Sequence, residues 1–121
     1  DVSAFDRSDA LFESWYRARA RAVITARVAH YAGVMGVHPS HVRITGAERR
    51  WGSCGAGGTV SFAWRLVMAP PEIIDYVVVH ELAHLREMNH SVRFWAVVAA
   101  AIPDYQERRR WLRDNGGSLS M

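Results

Sequence analysis

A nearly unbroken apolar segment that ends in two histidines constrains the fold of this 121-residue chain more than any other feature. Residues 73–79, which follow Pro71, are almost all apolar and lead directly into His80, Glu81 and His84. Because residues four apart leave the same face of an α-helix one turn apart, the two imidazoles are expected to be neighbours. Such an apolar helix is buried on most sides, and burying these polar side chains without partners would be costly. The pattern therefore predicts a buried helix that carries a polar site at its end.

A metal ion would remove that cost, and the types of side chain indicate zinc (Zn²⁺). Imidazole nitrogens at about 2.0–2.1 Å from one ion are typical zinc ligands. His90 follows six residues after His84, which is far enough for the chain to turn and supply a third ligand. Three protein ligands leave one position open, as in catalytic zinc sites. We therefore predict that zinc is held by His80, His84 and His90, with the adjacent Glu81 as the general base.

The same residues also permit an interpretation without a metal. His80 and His84 could be hydrogen-bonded core histidines beside a Glu81 held in a salt bridge. His90 could instead be a surface or helix-capping residue, in which case Glu87 offers the nearest alternative ligand. The other three histidines lie far away in the sequence and are interpreted as surface residues: His30, His38 and His41.

Length, composition and charge bound the class of protein. With 121 residues, half of them apolar, one globular domain over residues 1–121 is expected. No apolar run approaches the roughly 20 residues of a membrane span, and no signal-peptide pattern opens the sequence. Cys54 is the single cysteine, so no internal disulfide is possible and a cytoplasmic location is predicted. The net charge of +3 comes entirely from arginines, which favours a solvated basic surface and would also suit phosphate-bearing partners.

Hydrophobic periodicity and turn residues predict an α+β fold around the histidine helix. A first helix is expected over residues 8–35. Its buried face is assigned to small and apolar residues at steps of three and four, namely Leu11, Trp15, Ala18, Ala22, Ala26 and Ala29. Two strands, over residues 41–47 and 59–66, are predicted to form a hairpin or to be neighbours in one small sheet. Further helices are expected after Ser91, which can cap one, and over residues 104–115.

Several short stretches of the sequence match one protein family. They are Arg50-Trp51-Gly52-Ser53-Cys54, Trp64-Arg65-Leu66, Ala69-Pro70-Pro71, residues 75–85, Asn89-His90-Ser91 and Arg93-Phe94-Trp95. On these stretches the chain resembles the YgjP-like metallohydrolases, which are similar to SprT-like and other zincin metallopeptidases that carry an HExxH helix. The resemblance implies a minimal zincin-like fold, in which a small β-sheet packs on the active-site helix. It also implies that a β-rich N-terminal region of other members is missing from these residues.

The motif predicts hydrolysis by an activated water but does not choose the bond. A metallopeptidase is the preferred prediction. The resemblance to zincins implies that residues 59–64 form an edge strand that pairs with an extended peptide. A UTP pyrophosphatase is an alternative implied by the resemblance, and its candidate substrate-binding residues are Arg50, Arg65, Arg86 and Arg93. A DNA-associated SprT-like protease is a third alternative, which the basic charge permits although no base-reading motif appears. Cys54 is either a plain buried thiol or an inhibitory fourth ligand.

Overall fold

The computed structural model describes residues 2–115, and it describes side chains from residue 10 onward. The elements follow one another as α1 (Val2–Met35), β1 (His41–Thr45), β2 (Gly52–Cys54), β3 (Thr59–Ala63), a short 3-10 helix (Trp64–Met68), α2 (Pro71–Ala83), α3 (Val92–Ala101) and α4 (Tyr105–Asp114). The predicted α+β class is thus confirmed. Within residues 2–115, no helix combines the length and the apolar character that crossing a membrane requires.

The central helix α2 forms as predicted and lies in the middle of the structure. Pro71 occupies its first turn together with the acidic Glu72, and both residue types favour a helix start. From Ile73 onward nearly every side chain is buried, because α1, β2, α3 and α4 all pack around α2. The helix ends at Ala83, and the His84 N–H closes it by donating to carbonyl groups in the last turn. The histidine segment is therefore held by the core of the protein.

The long helix α1 packs on the core through a face that the sequence analysis did not choose. Ala20, Ile24 and Val28, at steps of four, are buried against the rest of the protein. The predicted face is exposed at every position, namely Leu11, Trp15, Ala18, Ala22, Ala26 and Ala29. This prediction was wrong because an alanine stripe buries little apolar area, whereas Ile24 and Val28 bury a whole branched side chain. The helix also begins at Val2, earlier than the predicted residue 8.

A bidentate ion pair fixes α1 against α2. The Arg27 guanidinium donates to both carboxylate oxygens of Asp75, with Nε–Oδ1 and Nη2–Oδ2 distances of 2.7 and 2.9 Å. The Tyr31 hydroxyl adds a third contact to the same carboxylate at 3.3 Å. Paired fork-to-fork contacts of this kind set orientation as well as distance. They therefore help to determine which face of α1 meets the core.

The sheet has three strands in the order β1-β3-β2, with β1 parallel and β2 antiparallel to β3. The two predicted strands are neighbours, but they are parallel and so do not form the hairpin that was the other expectation. The second strand ends at Ala63 and the chain continues as the 3-10 helix. The prediction that residues 59–64 form an edge strand was wrong, because β3 is the central strand. The edge next to α2 is β2, a three-residue strand inside the glycine-dense loop. Its shortness and its glycine leave no alternating pattern that would predict a strand.

Candidate metal centre

The structure brings the three predicted ligands together. His80, His84 and His90 each offer one ring nitrogen as a ligand atom, and these three atoms lie within 4.8 Å of one another. The Nε2 atoms of His84 and His90 are 3.1 Å apart. Two nitrogens at about 2.0–2.1 Å from one ion, at the tetrahedral angle, are separated by roughly 3.3–3.4 Å. The observed spacing is thus close to that of two ligands of one metal ion, and the donor set suits zinc.

Local structure orients each imidazole. His80 and His84 are one turn apart at the end of α2, with ring centroids 5.2 Å apart. The His84 Nδ1 lies 2.9 Å from the Met88 carbonyl oxygen, so a proton on Nδ1 is donated there and Nε2 is left to bind a ligand. After a turn, Ser91 caps α3 by accepting a hydrogen bond from the Phe94 N–H at 3.4 Å. This helix start places His90 against the two histidines of α2.

Burial keeps two of these imidazoles in the form that binds metals. Loss of hydration lowers the pKa of His84, and the neighbouring charge of His80 lowers it further. The pKa of His90 is lowered by the same burial and then by His80 and His84. A lowered pKa favours the neutral ring near pH 7, and a neutral ring nitrogen is the metal ligand. His90 is only partly buried, whereas His80 and His84 are buried. Solvent therefore reaches the cluster from the side on which His90 lies.

Glu81 lies beside the cluster and is fully buried. Its Oε2 is 3.3 Å from the His80 Nδ1, which can donate a proton to it. Gly52 of β2 also lies close to Glu81. A Cβ atom added at Gly52 would be 3.0 Å from the Glu81 Cγ and 3.2 Å from the Glu81 Oε2. The same atom would lie 3.1 Å from a methyl group of Val77. The glycine thus allows the edge strand to approach the predicted general base.

We expect Gly52→Ala to lower both stability and turnover. The added methyl group must displace Val77 or the Glu81 carboxylate, and overpacking of this kind typically costs about 1–3 kcal/mol. Urea unfolding and kcat are the measurements. Gly57→Ala is the matched control from the same loop, because a Cβ there meets nothing within 4 Å. Equal behaviour of the two variants would show that β2 does not restrain Glu81.

A stack of aromatic side chains packs against the His90 ring. The Trp95 ring stacks on His90 at a centroid distance of 5.7 Å, and Tyr105 stacks on Trp95 at 5.2 Å. The Arg109 guanidinium lies 4.5 Å from the Trp95 ring centroid, in a cation–π contact. Phe94 also packs against all three histidine rings, at 4.6 to 5.1 Å. The sequence analysis did not assign these aromatic residues to the site, although the position of Phe94 and Trp95 one helical turn after His90 was a signal.

Trp95→Leu is expected to weaken zinc binding by about 10-fold or more, as loss of a group that orients a ligand does. Leucine fills part of the space but offers no flat face to the His90 ring. Trp95→Phe keeps a flat ring and should keep most of the affinity. Competition with a chromophoric chelator measures the affinity. If leucine and phenylalanine gave the same zinc affinity as tryptophan, the stack would have no role in holding His90.

The predicted arginines lie in two different places. Arg50 and Arg65 line one cavity of about 190 Å³ at the end of the sheet. Arg86 and Arg93 are exposed, in the turn after α2 and in the first turn of α3. Cys54 is half-buried, and burial and the charge of Glu81 raise the pKa of its thiol. Among residues 10–115, the cluster of possible ligands comprises the three histidines and includes neither Cys54 nor Glu87.

Two crystal structures of metallopeptidase zymogens are similar to the fold. Pyrococcus abyssi abylysin matches with a TM-score of 0.70 and 22% identity over 79% of this chain and 98% of its own. Methanocaldococcus jannaschii jannalysin matches with a TM-score of 0.67 and 17% identity over 76% and 95% of the two chains. No curated protein matches the sequence. The model of the YgjP-like metallopeptidase domain matches residues 3–115, and the chain therefore belongs to the YgjP-like family.

Proposed function

We propose that this protein is a zinc-dependent peptidase in which His80, His84 and His90 hold the ion and Glu81 is the general base. The observation that carries the proposal is the convergence of three histidine ligand atoms within 4.8 Å, beside a fully buried glutamate. Membership of a metallopeptidase family supports the choice of a hydrolase that acts on peptides. Zinc is favoured over harder divalent ions because all three donors are imidazole nitrogens.

The residues of the site have separate roles in this mechanism. Zinc at such a site lowers the pKa of water and polarises a carbonyl group. Glu81 accepts the proton of the attacking water as the oxygen bonds to the carbonyl carbon. When the carbon–nitrogen bond breaks, the leaving amine takes up that proton. The contacts of Glu81 with His80 and Gly52 restrict its movement, so the carboxylate is held in one orientation for both transfers.

An extended substrate has a natural place beside β2. This strand pairs with β3 on one side only and is therefore an edge of the sheet. Extended peptides bind to such edges through main-chain hydrogen bonds. Since Gly52 of β2 contacts Glu81, a peptide added to this edge would pass next to the predicted base. The edge role first assigned to residues 59–64 is thus proposed for β2.

The test is digestion of a random-sequence peptide mixture by the zinc-loaded protein, with mass spectrometry of the products. UTP is offered in a parallel reaction, and pyrophosphate release is measured. We expect new peptide termini that disappear with a chelator and return with zinc, while UTP stays intact. Release of pyrophosphate without peptide cleavage would replace the peptidase by a UTP pyrophosphatase. Turnover that survives complete removal of the metal would contradict both.

A further inference from the structure

A cavity of about 190 Å³ lies at the end of the sheet, where the chain enters β2. Arg50 and Trp51 bound it before the strand, Ala63 and Arg65 bound it at the end of β3, and Asn115 bounds it after α4. Three separate parts of the chain therefore form its walls. The proposed mechanism makes no use of it.

The walls carry positive charge that the described residues do not neutralise. The Arg65 Nη2 donates to the Ala47 carbonyl oxygen at 2.7 Å, which fixes the guanidinium while leaving its other N–H groups available. Within residues 10–115, neither Arg50 nor Arg65 forms an ion pair with a carboxylate. Glu48 is the acidic residue among those that line the cavity. Two guanidinium groups and one carboxylate leave an excess of one positive charge, which suits a single carboxylate better than a polyphosphate.

The cavity adjoins the start of the edge strand β2, beside which the proposed peptide substrate would lie. Trp51 lines it, and the next residue, Gly52, contacts Glu81. Arg50 comes two residues before Gly52, and two residues of extended chain span at most about 7 Å, so the Arg50 backbone lies within that distance of Gly52. A peptide that pairs with β2 and is cut beside Glu81 would thus bring a residue two or three positions from the scissile bond to the arginines.

We propose that this cavity is a subsite for a carboxylate of the peptide substrate, bound by Arg50 and Arg65. The guanidinium fork matches a carboxylate in shape and charge, and paired contacts of this kind select strongly against neutral groups. The carboxylate is that of an aspartate or glutamate side chain, or that of a free peptide C-terminus. The proposal rests on the proposed peptidase function and adds a substrate class to it.

The first experiment compares the cleavage of capped peptides that differ only by glutamate or glutamine near the scissile bond. We expect kcat/KM to favour glutamate by about 10- to 100-fold, which is the range of a charge-assisted hydrogen bond. Arg65→Gln and Arg50→Gln should each reduce this preference, and the double variant should abolish it. The preference is measured as the ratio of the kcat/KM values for the two peptides within each variant, so a general change in activity cancels. Arg43→Gln, an exposed arginine of β1, is the matched control and should keep the full preference.

The second experiment measures binding without turnover, by calorimetry of the same peptides with zinc-loaded Glu81→Gln. A third peptide pair, with a free or an amidated C-terminus, separates a chain end from a side chain as the source of the carboxylate. Equal affinities within every pair, no binding at all, or a preference that survives in the Arg50→Gln/Arg65→Gln variant would overturn the subsite. Preferential binding without cleavage of any peptide would contradict the peptidase function and leave the subsite standing. Cleavage of the glutamate and glutamine peptides with equal kcat/KM would overturn the subsite and leave the peptidase function standing.

Discussion

Glu81→Gln is expected to reduce peptide hydrolysis by about 100- to 10,000-fold while zinc content stays at the wild-type level. Glutamine has the shape of glutamate but cannot accept a proton from water. Because the side chain is fully buried between Gly52 and His80, a residue of the same shape preserves the packing. The measurements are kcat with the best cleaved peptide and the zinc content of the purified variant.

The matched control for this variant is Glu87→Gln, in the turn that connects α2 to His90. Glu87 is partly exposed and lies outside the histidine cluster, so its neutralisation should leave both zinc content and turnover close to those of the wild type. Full activity of Glu81→Gln would show that the water loses its proton elsewhere. Loss of zinc in that variant would instead show that Glu81 acts through the metal ligands, since its Oε2 contacts His80.

His90→Ala is expected to weaken zinc binding by more than about 100-fold, because removing even a group that only orients a ligand costs 10–100-fold. The substitution leaves two imidazoles, and it leaves the α3 cap intact because Ser91 provides that hydrogen bond. The lost affinity is measured by chelator competition, and retained helix content by circular dichroism. His38→Ala, at an exposed histidine outside the cluster, is the control. If His90→Ala bound zinc as tightly as the wild type, His90 would not be a ligand.

The sequence was sufficient for the histidine helix because the signals there are local. Spacing of four residues places His80 and His84 one turn apart in any helix, and the apolar run before them requires burial wherever the chain packs. The proximity of His90 to the other two histidines could also be predicted from the sequence, because only a short turn separates His90 from α2. In each case the prediction depended on neighbours in the chain, and the structure places the three histidines together.

Features that depend on contacts between distant parts of the chain could not be predicted from local sequence patterns. The face of α1 that meets the core is fixed in part by the Arg27–Asp75 ion pair, whose two residues are 48 positions apart in the sequence. The edge position of β2 follows from its antiparallel pairing with β3, and three residues that include a glycine carry no alternating pattern. The cavity at Arg50 and Arg65 is likewise formed by distant segments. These are non-local packing choices that composition and spacing do not encode.

The most direct test of the central claim is the coordination of zinc in the purified protein, measured by X-ray absorption or by anomalous diffraction from crystals grown with zinc. We predict one ion per chain, with three imidazole nitrogens from His80, His84 and His90 at about 2.0–2.1 Å. A site completed by the sulfur of Cys54 or by the carboxylate of Glu87 in place of His90, or a protein that binds no zinc at these residues, would contradict the account.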